Sequence, residues 1–195
     1  MPLFQNRYSI SLYLMARLKL FIPLIIFAAS AVLFASILKK RETQAADFLP
    51  SALLGKPFPD FSLPQLEQGE AATIVLTNSD LPKQTFLLNV WGTWCPECYR
   101  EHDTLLQIAS SGIAIVGYNY KDDRDKALAY LRKLKDPFVL NLYDSEGGLG
   151  LDLGVYGAPE TFVVSRDGIV LERIAGGIDM NIWEQRLAPF FTPNP

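Results

Sequence analysis

The chain has 195 residues, 49% of them apolar and 20% charged, which suits one folded domain plus a membrane segment. That balance argues against a disordered chain, and two cysteines are too few for a disulfide-stapled miniprotein. The net charge of −3 hides an asymmetry: every Asp and Glu lies at or beyond Glu42, whereas Arg7, Arg17, Lys19, Lys39, Lys40 and Arg41 precede it. The part that can fold is therefore acidic, repels phosphate backbones and argues against a nucleic-acid partner.

The chain opens on a short tail, 1–19, with no acidic residue, which reads as cytoplasmic. From Leu20 to Leu38 nineteen residues run without a charge, bounded by Lys19 and by Lys39-Lys40-Arg41. At about 1.5 Å per residue a helix of that length crosses a hydrocarbon core of about 30 Å. Pro23 falls in its first turn, where a missing N–H costs little. A cleavable signal peptide is the competing reading, because Ala29-Ser30-Ala31 has the small-x-small form of a cleavage site. The apolar run continues seven residues beyond Ala31, which favours an uncleaved anchor. Basic residues flank the segment almost evenly, so charge alone barely orients it; the short tail without acid favours an exported domain.

Residues 39–56 are mixed and polar without a sustained period, a linker, and the domain proper is expected at 57–195. Pro57 to Pro64 alternates apolar residues with prolines, which restricts it to an edge strand or an extended lead-in. Thr73–Leu76 is a second short strand. Phe86–Trp91 is a dense apolar run of strand length, and Asn89 inside it needs hydrogen-bond partners. The pattern turns helical from Pro96 to about Ser111, where Gly112 stops it. Ile113–Tyr118 reads as a buried strand. Residues 123–134 form a helix with Asp122 or Asp123 as cap and Ala127, Leu128, Leu131 and Leu134 on one apolar face. Phe138–Leu142 is a short strand, followed over 144–153 by a Gly-rich turn that either shapes a groove or serves as a connector. Glu160–Ser165 and Ile169–Ile174 flank Arg166-Asp167-Gly168 as a hairpin. Asp179 caps a last helix through Trp183 and Leu187. The order β-α-β-α-β-β-α behind a β-containing extension predicts an α/β fold, a central mixed sheet flanked by helices.

The chemistry concentrates in Trp94-Cys95-Pro96-Glu97-Cys98, where a strand runs into a helix. A thiolate is the nucleophile of disulfide exchange, and a helix N-terminus stabilises negative charge. Cys95 is expected to be exposed and attacking, and Cys98, one turn in, shielded and resolving. Pro96 suits the first helical position, and Trp94 shields one side of the sulfurs. A purely structural disulfide would close a longer loop for its entropic effect. A zinc site needs four ligands, and Cys95, Cys98 and His102, the only histidine, fall within two helical turns. A covalent haem site needs His directly after the second cysteine, where Tyr99 stands. His102 reads as a surface or packing residue before a general base. No metal or organic cofactor is expected; the working group is the Cys95–Cys98 disulfide itself.

Three stretches, LLNVWGTWCPECYREH (87–102), VGYNYKDDRDKAL (116–128) and DSEGGLGLDLGVYGAPETFVVSRDGIV (144–170), together resemble the DsbE/CcmG family of cytochrome c maturation reductases in the thioredoxin-like superfamily. The resemblance implies a thioredoxin-like fold behind one transmembrane helix, with the domain on the periplasmic side of a bacterial inner membrane. It implies reduction of a disulfide in apocytochrome c or in a maturation protein that holds it, and a DsbD-type membrane reductase as electron donor. Carried over residue by residue, it marks Cys95 as attacking and Cys98 as resolving. It also marks Glu101 as an acid one turn on, Ala158-Pro159 as a cis-proline loop facing the disulfide, and Glu160 as a second acid. Carboxylates at Glu97, Glu101 and Glu160 close to the sulfurs would disfavour the thiolate and make a reductant, nearer thioredoxin (roughly −270 mV) than DsbA (roughly −120 mV). For Glu97 a solvated helix-face charge is the equal alternative. Two other functions compete: a general TlpA- or ResA-like reductase with another client, and a Sco-like copper chaperone, which would need a histidine far from the cysteines.

Overall fold

The computed structural model describes residues 21–36, 53–67 and 74–191. The chain divides into two compact units, 1–45 and 46–195. Among the described residues the first contains helix α1 (21–36), with every one of these residues exposed. Among the described residues no helix is long and apolar enough to cross a membrane. Leu20, Ile37 and Leu38 of the expected anchor, and residues 39–52 of the expected linker, lie outside the described residues.

The second unit is built on a five-stranded sheet ordered β5-β4-β3-β6-β7. Its strands are β3 (Phe86–Trp91), β4 (Ile115–Tyr120), β5 (Leu140–Asp144), β6 (Glu160–Val164) and β7 (Val170–Ala175). β3 runs parallel to β4, which runs parallel to β5, while β6 and β7 are antiparallel additions on the other side of β3. Every residue of β3 is buried, as expected of a central strand covered on both faces.

Strand alternation sorts the side chains. Phe86, Leu88 and Val90 join Val116, Tyr118 and Phe162 in one core, whereas Leu87 packs with Ile115 and Val163 in another and Trp91 lies in a third beside the cysteines. Helices α2 (Pro96–Ser110) and α3 (Arg124–Leu134) connect successive parallel strands, and right-handed crossovers in one direction put both on the same face. Leu105, Ile108, Ala127, Tyr130 and Leu131 supply their buried sides. The C-terminal segment shares this face: α5 (Met180–Ile182), capped by Asp179, passes into a π-helical turn that buries Trp183 and Leu187.

The opposite face carries α4 (Gly148–Asp152) and an N-terminal hairpin of β1 (Ser62–Pro64) and β2 (Val75–Thr77). The N-terminal segment also closes both edges of the sheet. Gly55 N donates to Val170 O and Val170 N to Lys56 O beside β7, and Leu66 N donates to Asn141 O beside β5. With Leu53 packed on the core as well, ordered structure reaches N-terminal of the expected start at Pro57.

Three differences from the sequence expectations have physical causes. β4 and β5 each start two residues late and run two further. Polar Asn119 closes the apolar run in sequence, yet it is fully buried in β4, and Phe138 leaves the sheet to stack on Trp91, ring centroids 5.7 Å apart. The glycines of 147–150 suggested a turn, but the segment contains α4. The Asp144 carboxylate accepts the amides of Gly147 (2.6 Å) and Leu149 (3.0 Å), seeding that first turn. Gly150 is required because a Cβ there would lie 2.6 Å from the Tyr120 ring.

Candidate active site

β3 ends at Trp91, and Gly92-Thr93-Trp94 turns the chain into α2. Asp122 holds this turn. Its carboxylate accepts Thr93 N and Thr93 Oγ1, each at 2.6 Å, and Asn119 Nδ2 at 3.0 Å. The helix cap expected from either Asp122 or Asp123 falls to Asp123, which accepts Lys126 N. Trp94 is 48% exposed and donates Nε1–H to Tyr120 O at 3.1 Å. Its indole folds back over Gly92, where a Cβ would meet Nε1 at 2.5 Å, so a side chain there would displace the indole.

Cys95 is the N-cap of α2, and its Sγ accepts Cys98 N–H at 3.0 Å; Pro96 occupies the first turn, where it needs no donor. The two cysteines form a disulfide. Cys95 was expected to be exposed, but both cysteines are only 2% exposed. Ala158 from the loop before β6 packs against the cluster formed by Trp91, Cys95 and Cys98, and the Ala158–Pro159 bond is cis.

The three carboxylates separate. Glu101, 3% exposed, accepts Asn89 Nδ2 on Oε1 (2.9 Å) and the Ile178 amide on Oε2 (2.9 Å). Burial pushes its carboxyl up to about 7, outweighing those two donors, and the Glu97 charge adds to the rise. Glu97 lies half-buried on the helix face, 2.6 Å from Arg100. Glu160, expected near the sulfurs, faces the other side of the sheet. It pairs across β3 with Val90, while its neighbour Thr161 pairs with Asn89 on the Glu101 side and accepts Asn89 Nδ2 at 3.1 Å. Glu160 Oε2 instead meets Arg173 Nη2 at 2.7 Å. Burial raises its carboxyl although Arg173 opposes the shift.

His102 is a packing residue joining α2 to the end of α3. Its Nε2 lies 3.2 Å from Leu134 O and 2.9 Å from Lys135 O, so Nε2 carries a proton. The Tyr130 hydroxyl sits 3.1 Å from Cys98 O and 3.2 Å from His102 Nδ1, and its ring stacks on Trp91. Among the described residues no group of three His, Cys, Asp or Glu side chains could hold a metal ion. Sequence reasoning missed Asp122 as the brace of the turn, Tyr130 under Cys98, and Arg173 as the partner of Glu160. Each acts across strands or helices with no local spacing to announce it.

A mixed sheet that ends its central strand in a Cys-x-x-Cys disulfide at a helix start, opposite a cis-proline loop, defines a thioredoxin-like thiol:disulfide oxidoreductase. The family model described as Redoxin matches residues 53–185. The chain is 44% identical over 177 residues to the thiol:disulfide interchange protein DsbE of Pseudomonas aeruginosa, covering 91% of this chain and 94% of that protein. It is 45% identical over 179 residues to DsbE of Escherichia coli K12, covering 91% and 95%. A solved structure of a thiol:disulfide interchange protein DsbE from Chlorobium tepidum superposes with a TM-score of 0.58 at 24% identity, over 74% of this chain and 99% of that one, a likeness of fold. The chain belongs to the DsbE thiol:disulfide interchange proteins, within the redoxin family.

Proposed function

We propose that this protein is a reductant anchored in a bacterial inner membrane by residues 20–38, its domain in the periplasm, serving cytochrome c maturation. The Cys95 thiolate attacks one sulfur of a disulfide in apocytochrome c, or in a protein that holds it, forming a mixed disulfide and expelling one client thiolate. The Cys98 thiolate then attacks Cys95 Sγ and expels the second. Two electrons and the two cysteine protons pass to the client, and a DsbD-type membrane thiol reductase restores the dithiol. During attack the main chain of Ala158 pairs with an extended client segment.

The observation that carries the reading is Glu101. A buried carboxylate one helical turn beyond Cys98, with no cation against it among the described residues, opposes the thiolate that the start of α2 favours, and so disfavours the charged reduced state. The test uses the full chain in detergent micelles. Its reduction potential is measured in defined thiol buffers, and a Cys98→Ser variant is offered oxidised Cys-x-x-Cys-His peptides beside cysteine pairs from unrelated proteins. The expected outcome is a potential near or below thioredoxin's (roughly −270 mV) and trapping of the Cys-x-x-Cys-His peptides on Cys95. Equal trapping of unrelated pairs would assign the protein to a general reductase, and a potential near DsbA's (roughly −120 mV) would overturn the reductant reading altogether.

A further inference from the structure

The loop that faces the disulfide is tied down on both sides. After the cis bond, Pro159 O accepts Gly176 N at 2.9 Å. Before it, the tie is a buried ion pair for which the thiol chemistry has no use. Arg173 on β7 reaches Glu160 Oε2 with Nε at 2.8 Å and with Nη2 at 2.7 Å, the two side chains being 7% and 2% exposed. The same Nη2 donates to Gly154 O at 2.9 Å, and the guanidinium lies over the rings of Tyr156 (5.3 Å) and Phe162 (5.5 Å). Glu160 Oε1 accepts the Tyr156 amide at 3.2 Å, and the Gly157 backbone lies beside the same carboxylate. The contacts of this pair with main chain therefore converge on 154–157, the four residues that lead into Ala158.

Stability alone does not account for it. Two charges taken out of water are stabilised less than a well-packed apolar pair would be, and here Phe162 under the guanidinium and Val90 opposite Glu160 already provide apolar surroundings. What an apolar pair could not do is hold one carbonyl and one amide of the same loop at fixed positions.

We propose that Arg173 is a positioning residue: through Glu160 it fixes the backbone of Gly154–Gly157 so that Ala158 presents a formed main-chain edge, which sets a preference for disulfides carried on extended polypeptide over small-molecule disulfides. The inference rests on the reading that the client pairs with the Ala158 backbone. A preformed edge lowers the ordering cost of binding and so acts on affinity for the peptide, whereas exchange at the sulfurs does not depend on it. Tyr156, 63% exposed with its ring beside the guanidinium, is held in the same unit.

The experiment follows oxidation of the pre-reduced full chain in micelles by tryptophan fluorescence, with either an oxidised peptide carrying a Cys-x-x-Cys-His disulfide or glutathione disulfide. Two variants are compared with wild type. Arg173→Lys keeps the charge but loses the fork; Glu160→Gln with Arg173→Met removes both charges together, so that no buried charge is left unpaired. The half-saturating peptide concentration is expected to rise about tenfold in the double variant, the loss of one or two placed hydrogen bonds, with partial rescue in Arg173→Lys. The maximal rate, and the rate with glutathione disulfide, should fall by a much smaller factor. An unchanged half-saturation, or parallel losses with both oxidants that follow a lowered melting temperature, would overturn the positioning role and leave the client reading standing. A wild type that neither saturates with peptide nor prefers it to glutathione disulfide would overturn both.

Discussion

Replacing Glu101 by Gln should change the stability of the oxidised protein in opposite directions at the two ends of the pH range. Burial raises the Glu101 carboxyl from its ordinary 4.5 to about 7. Below 4.5 the group is protonated in both folded and unfolded chains and costs nothing. Between 4.5 and 7 the unfolded chain ionises while the folded one holds its proton, so native stability falls as pH rises. Above 7 the folded protein carries the carboxylate at a full cost of about 3 kcal/mol, most of which accrues between pH 5 and pH 8. Gln abolishes that slope. It also places an NH2 against one of two donors, Asn89 Nδ2 or the Ile178 amide, at a pH-independent cost of about 1–2 kcal/mol. The variant is thus expected to be less stable than wild type at pH 5 and more stable at pH 8. Denaturant unfolding of both oxidised full chains in micelles at pH 5, 6, 7 and 8 measures the difference, in which every other titrating group cancels. A wild-type-minus-variant difference that stays flat across this range, or that slopes the other way, would refute the claim that Glu101 is a buried acid without a cation.

Two further substitutions probe the scaffold of the site. Gly117→Ala puts a Cβ onto Asn141 Oδ1 and 2.8 Å from the Phe138 ring in the middle of β4, so a loss of about 1–3 kcal/mol is expected, read as a lower denaturation midpoint. An unchanged midpoint would mean that the Asn141 amide swings aside freely. Asp122→Ala strips Thr93 of both its acceptors, and a loss of about 2 kcal/mol is expected from two bonds to a charged group, with Asp122→Asn falling between it and wild type. Equal midpoints for all three proteins would show that the turn before Cys95 holds without this brace.

What could be read in the sequence is what is local. β3 and α2 were found with their boundaries because an apolar run, a Cys-Pro helix start and a Gly stop follow one another along the chain, with Gly112 adopting φ 90°. Asn89 was recognisable as a buried group in need of partners, and it has two. Errors arose where the deciding partner is far off in sequence. Asn119 was excluded from β4 because its burial depends on the sheet beneath α2 and α3. α4 was missed because its seed, Asp144, and the Tyr120 ring that demands Gly150 lie on two different strands. Glu160 was placed beside the sulfurs by resemblance, yet its face is set by register. With Thr161 opposite Asn89, the residue before it must point to the other side of the sheet.

That register separates the two buried acids in charge as well as in space. Glu160 has a guanidinium within 2.7 Å, so its negative charge is neutralised where it stands. Among the described residues Glu101 is met by dipoles, an amide side chain and a backbone N–H, so once ionised it leaves a net charge in the layer that contains Cys98. Opposed to it are the Cys98 amide on Cys95 Sγ and the start of α2, both of which favour a thiolate at Cys95. These influences on the dithiol do not scale together with pH. The helix start and the amide are fixed, whereas the Glu101 charge appears only as pH rises through about 7. On the proposed reductant reading, the penalty on the thiolate is therefore largest in alkaline solution and fades towards acid, so a reducing strength lent by Glu101 would itself be pH-dependent. The Glu101→Gln variant removes that dependence and leaves the helix terms intact.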